Sequence, residues 1–160
     1  KIKDKYYMWK QIFKTAVIAG ALDITAASIQ VYLATGMAPD IILKYIASGL
    51  FGKDAFPGGF GYVLIGLIIH LFIAFACTVT YFLVYPKIKL LHNSILLNSL
   101  LIALIAWAVT TRIIIPMSKL QTPPFILVKA IIAISILFFC IGLPIALFAK
   151  YYYNNKKVEN

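Results

Sequence analysis

Ile46-Ala47-Ser48-Gly49-Leu50-Phe51-Gly52-Lys53-Asp54-Ala55-Phe56-Pro57-Gly58-Gly59-Phe60-Gly61 is a glycine-rich segment set between two long apolar runs. With Gly66 just beyond it, the segment accounts for six of the chain's nine glycines, and it interrupts a sequence that otherwise reads as membrane helix. Every other part of the chain is placed relative to this hinge.

Of the 160 residues, 62% are hydrophobic and 12% charged, with a mean hydropathy of +0.93. A soluble domain has about half its residues apolar and roughly a quarter charged. The expected class is therefore an all-α integral membrane protein, a four-helix antiparallel bundle forming one membrane domain over residues 1–160. Almost no polar sequence is left for a catalytic domain outside the membrane. The net charge of +10 lies beside apolar runs, where lysine and arginine meet lipid headgroups, so no nucleic-acid partner is expected. Cys77 and Cys140 both fall inside apolar runs and belong to no CxxC or Cys/His cluster, which reads as two small core residues.

Working toward the N-terminus, Lys1, Lys3, Lys5, Lys10 and Lys14 alternate with Tyr6, Tyr7 and Trp9, the mixture expected where a helix leaves an anionic lipid surface. The apolar run that follows, 15–35, is longer than the core of a secretory signal and reads as an uncleaved first span. Ala16, Gly20, Asp23, Ala27 and Gln30 recur at three- and four-residue steps, so they share one face, expected to look inward. Gly36 and Pro39 end the span. Residues 39–59 then hold a short helix, too brief to cross, lying at the interface or re-entering part way, followed by the hinge.

Working toward the C-terminus, spans are expected at 60–85, 93–115 and 125–149. Pro86 ends the second, Pro116 stops the third, Gln121-Thr122-Pro123-Pro124 makes a stiff turn, and Gly142-Leu143-Pro144 kinks the fourth. A second aromatic and basic belt, Lys150 to Lys157, follows. Ten of the fifteen lysines and arginines lie on the side of the two termini, which is then the cytoplasmic side, and the hinge faces outward.

Two ionisable residues fall deep in the spans. Asp23 lies 12 residues from the outer end of the first and His70 lies 10 from that of the second, so at 1.5 Å per residue both sit about 15 to 18 Å down. They meet near the midplane, where each removes part of the other's cost of burial. Such a pair is either a packing hydrogen bond or a proton- or cation-handling site. Arg112 and Lys129 lie close enough to the outer end for their side chains to snorkel to the headgroups. The alternative turns them inward with Lys53 as an outer basic pocket for an anionic headgroup or small anion, although Asp54 supplies a local counter-charge. Ser48, Gly49, Gly52, Gly58 and Gly59 form the hinge proper. No Walker loop, dinucleotide fingerprint, HExxH or GxSxG occurs, so no catalytic residue, metal site or cofactor is expected.

Leu22-Asp23-Ile24, Ile46-Ala47-Ser48-Gly49-Leu50 with Gly52 and Ala55-Phe56 before Gly58-Gly59, Leu67 with His70, Pro116 with Ser118, and Gly142-Leu143-Pro144-Ile145-Ala146-Leu147 together resemble a family of small bacterial inner-membrane proteins, loosely termed YagU-like. The resemblance implies a bacterial four-helix membrane protein carrying the Asp and His positions, and brings no activity with it. Arg112 and Lys129 match no position in it. Three functions stay open: an accessory or interaction protein, a small proton- or cation-handling transporter or channel gated by the hinge, and a lipid or hydrophobic-ligand binder. Anionic headgroups at the cytoplasmic face are the expected partners, and a homodimer fits any of these.

Overall fold

The computed structural model describes the backbone of residues 2–121 and 124–158, and the side chains of 5–121 and 124–155. The expected turn at Thr122-Pro123 and the side chains of Lys1, Lys3, Lys156 and Lys157 in the two basic belts lie outside the described residues. The chain forms helices α1 (Ile2–Thr35), α2 (Asp40–Phe51), α3 (Phe60–Val84), α4 (Ile95–Val109), α5 (Ile115–Met117), α6 (Leu127–Leu137) and α7 (Leu143–Val158). No strand occurs among the described residues.

Among the described residues four stretches are long and apolar enough to cross a membrane: Lys5–Thr35, Phe60–Lys87, Ile95–Met117 and Leu127–Asn155. The 12-residue α2 is too short. Ile68, Phe72 and Phe139 are each more than 60% exposed. Water rarely meets apolar surface on that scale, whereas lipid favours it.

The helix limits differ from the sequence expectation where a local bond decides them. The first helix runs from Ile2, so the basic belt ahead of the span expected at 15–35 is itself helical, with no glycine or proline before Gly20 to break it. The third span begins at Ile95 because the Ser94 hydroxyl accepts the Leu97 N–H at 3.3 Å, capping α4. Gly36, at φ +70°, ends α1, and Gly52, at φ +72°, ends α2 with its N–H on the Ser48 carbonyl. Both are left-handed positions that a side chain would strain.

The two late prolines are accommodated in one way. A proline within a helix cannot donate to the carbonyl four residues back, and its ring crowds that carbonyl. In each case a five-residue π-helical turn ends two residues ahead of the proline: Thr110–Ile114 before Pro116, and Phe138–Gly142 before Pro144. The widened turn absorbs the mismatch and the rod continues. The third span ends at Met117, one residue past Pro116, so the stop falls where the sequence suggests, with the proline itself held inside the last turn.

The core lies at the end that carries the chain termini. Ile12 from α1, Phe82 from α3 and Ile145 from α7 are wholly buried, and Tyr85 stacks on Tyr153 with ring centroids 5.3 Å apart. The Tyr153 hydroxyl donates to the Phe82 carbonyl at 2.7 Å, which ties the end of α7 to α3. Tyr7 reaches Tyr152 at 5.8 Å, so α1 begins where α7 ends. The connection from α3 to α4 folds back on the same core through the Asn98 amide, which donates to the Leu91 carbonyl, and through His92 beside the Tyr85 carbonyl.

Toward the hinge the packing changes character. No residue of α1 beyond Gly20 is buried. The buried positions there are small, Ala47, Ser48, Ala55 and Gly66. A methyl group on Gly66 would overlap the backbone carbonyl of Leu43, so α2 rests on α3 backbone to backbone. Gly142 makes the same kind of contact with the Ser99 backbone of α4, on the other side of the bundle and beside the terminal-end core, so backbone contact is not confined to the hinge. These crossings need glycine because no side chain fits between the two backbones.

Candidate functional site

The deep polar site begins with a third glycine. A methyl at Gly20 would lie 2.9 Å from Leu71 Cδ2 and 3.2 Å from Ala74 Cβ, so α3 packs closely on α1 here, and an added methyl would require Leu71 to turn aside and Ala74 to give by a few tenths of an ångström. The approach brings His70 Nε2 to 2.9 Å from the Gly20 carbonyl oxygen. A carbonyl can only accept, so Nε2 carries the hydrogen and donates it.

Asp23 follows Gly20 by three residues and therefore rises on the same face of α1. Its Oδ2 lies 3.8 Å from the same Nε2. That separation exceeds a hydrogen bond, and the remaining attraction is electrostatic. The His70 and Asp23 side chains are 13% and 15% exposed. The sequence expectation of an Asp and an imidazole bonded face to face is thus corrected in one respect: the two groups are brought together, but the imidazole's hydrogen bond goes to the backbone. The reason is geometric. The notch at Gly20 sets the carbonyl closer to α3 than the carboxylate that stands one turn beyond it.

Along the face that carries this site, Ala16 and Gly20 are buried, Asp23 and Ala27 are half-buried, and Gln30 is exposed. The inward face predicted from the small residues therefore holds only up to the site. Cys77 and Cys140 are free and half-buried, with no sulfur bond between them. Among the described residues no group of three or more His, Cys, Asp and Glu could hold a metal ion.

Two shallow grooves flank the C-terminal half of α1. One, of about 420 Å³, lies against the start of α2 and is lined by Thr25, Ser28, Tyr32, Asp40 and apolar neighbours. The other, of about 510 Å³, lies toward α6 and includes Gln30 and Ile132. Neither is lined by Asp23 or His70.

Lys53, Arg112 and Lys129 are all exposed. No ion pair or hydrogen bond joins them among the described residues, and they line neither groove. The hinge residues serve local structure. Ser48 is buried and its hydroxyl donates to the Tyr45 carbonyl at 2.7 Å. The Gly49 carbonyl accepts the Lys119 N–H at 2.9 Å, fastening the hinge to the loop beyond α5. A methyl on Gly58 would run into the Tyr62 ring, whereas Gly59 has open space around it.

Three polar features were not singled out from the sequence. The Gly20 carbonyl has no sequence signal, because every residue carries one. The ion pair of Lys44 with Asp40, at 3.0 Å, was legible in the four-residue spacing of opposite charges on α2. Tyr81 hides a hydroxyl in the aromatic core with no hydrogen-bond partner among the described residues, and nothing in its neighbours' spacing marks it. Comparison with known proteins finds no matching family model, no matching curated protein and no matching solved structure.

Proposed function

We propose that the protein is a non-enzymatic, multi-pass membrane protein that serves as an accessory or interaction subunit. Its four spans run antiparallel, with both chain ends on the cytoplasmic side of a bacterial inner membrane and the hinge outside. The excess of lysine and arginine near the termini supports that orientation, and the family resemblance supports the bacterial setting. Exposed lysines and interfacial aromatics at the terminal end fit anionic headgroups as the lipid partners.

The single observation that carries the reading is the bond from His70 Nε2 to the Gly20 carbonyl. An imidazole that relays protons offers a nitrogen to water or to a second titratable group within hydrogen-bond reach. Here Nε2 is committed to a backbone acceptor, and the aromatic core closes the bundle on the terminal side. A bond of this kind contributes about 0.6 kcal/mol, up to about 1.7, to helix association in a membrane. That favours one register of α1 on α3 by about threefold, and by somewhat over tenfold at the upper figure. The Asp23 carboxylate beside it adds attraction without a hydrogen bond of its own.

A second reading is favoured by one distance. Asp23 Oδ2 stands 3.8 Å from the same nitrogen, and a small rotation would make a carboxylate–imidazole pair of the sort that handles protons or cations. Proteoliposome flux of protons and common cations separates the two readings. The accessory reading expects negligible flux from both the wild type and Asp23→Asn. Flux in the wild type that Asp23→Asn abolishes would replace it with the transporter.

A further inference from the structure

The groove between α1 and α6 contains a polar group that the fold leaves without a partner. Gln30 is exposed, lines this groove with Ala26, Leu33, Ala34 and Ile132, and its side-chain amide makes no hydrogen bond among the described residues. It stands five residues before the end of α1, about 7.5 Å from that end. Helical side chains tilt toward the N-terminus, so its amide leans toward the middle of the span and away from the nearer headgroups. A primary amide facing hydrocarbon without a partner is strongly disfavoured.

We propose that this groove is the interface between two copies of the chain, related by a two-fold axis that passes beside Gln30. The inference rests on the membrane reading of α1. A carboxamide is both donor and acceptor, so two glutamines facing each other across a two-fold satisfy one another reciprocally. An axis along the membrane normal also sets both at the same depth, which a different partner would have to match with a polar group of its own. Ala26 and Ala34, four residues to either side, allow the two α1 helices to approach until the amides meet.

The experiment uses the full chain reconstituted in liposomes at decreasing protein-to-lipid ratios, with self-association read by energy transfer between labelled copies. The expected result is a dimer that Gln30→Leu weakens by about tenfold. In a background of Cys77→Ala and Cys140→Ala, oxidation is expected to cross-link Ala34→Cys to its own copy. Tyr32→Cys, on the opposite face of α1, is expected to stay uncrosslinked. A monomer at every ratio, a dimer unaffected by Gln30→Leu, or cross-linking at Tyr32→Cys in place of Ala34→Cys would overturn the proposal. The outcome is separable from that of the flux assay: a dimer that conducts would remove the accessory reading and leave this interface intact.

Discussion

At the end of the bundle that carries the chain termini, Phe82, Tyr85, Tyr152 and Tyr153 fill the space between α1, α3 and α7, ring against ring. At the end that carries the hinge, the space is closed instead by bringing backbones together, with Gly66 of α3 against Leu43 of α2. Both solutions suit helices that are long and apolar enough to cross a membrane. Lipid tails are as apolar as leucine, so association depends on contact and on polar bonds more than on escape from water. The first solution fails when a side chain is removed and the second when one is added. His70 and Gly20 sit where one gives way to the other.

The contrast is tested most severely by removing a ring. Phe82 is wholly buried, and Phe82→Ala is expected to cost about 3 kcal/mol, the low end for such a cavity. Reversible unfolding in mixed detergent micelles measures it. The matching insertion is Gly66→Ala, where a methyl meets the Leu43 carbonyl, with an expected loss of about 2 kcal/mol in the same assay. If Gly66→Ala were neutral, the hinge end would not be held by backbone contact.

His70→Leu removes the cross-helix bond at the boundary and is expected to cost about 1 kcal/mol. Labels on α1 and α3 would then report a broader distance distribution between those helices by electron spin resonance. The smallest effect is expected at Gly49→Ala. A methyl there would lie 3.5 Å from Ser118 Cβ, an ordinary contact, and alanine is the better helix former. Stability should change by less than about 0.5 kcal/mol, and a large loss would show that the hinge glycines are needed for more than turns.

The sequence made the spans legible because hydropathy and length are properties of single segments. Counting residues from the span ends also brought Asp23 and His70 to one depth, and the two lie 3.8 Å apart. What that counting lacks is the distance between helix axes. The close packing of α3 on α1 at Gly20 supplies it, and there the imidazole bonds to the backbone and not to the carboxylate. Gln30 shows the same limit, since its spacing from Asp23 assigns it to a face and says nothing of how far along α1 the other helices extend. Pro116 and Pro144 were legible as disturbances of a helix. The shared π-turn solution depends on the whole hydrogen-bond ladder around each one.

The account turns on which acceptor holds the His70 imidazole. Solid-state NMR of the full chain in lipid bilayers, with the His70 ring labelled with nitrogen-15 and carbonyl carbon-13 placed at Gly20, measures that dipolar coupling directly. The expected result is a strong coupling between Nε2 and the Gly20 carbonyl carbon, with the hydrogen on Nε2. A coupling lost at Gly20 and found instead at the Asp23 carboxyl carbon would contradict it, and would turn the pin between two helices into a carboxylate–imidazole relay.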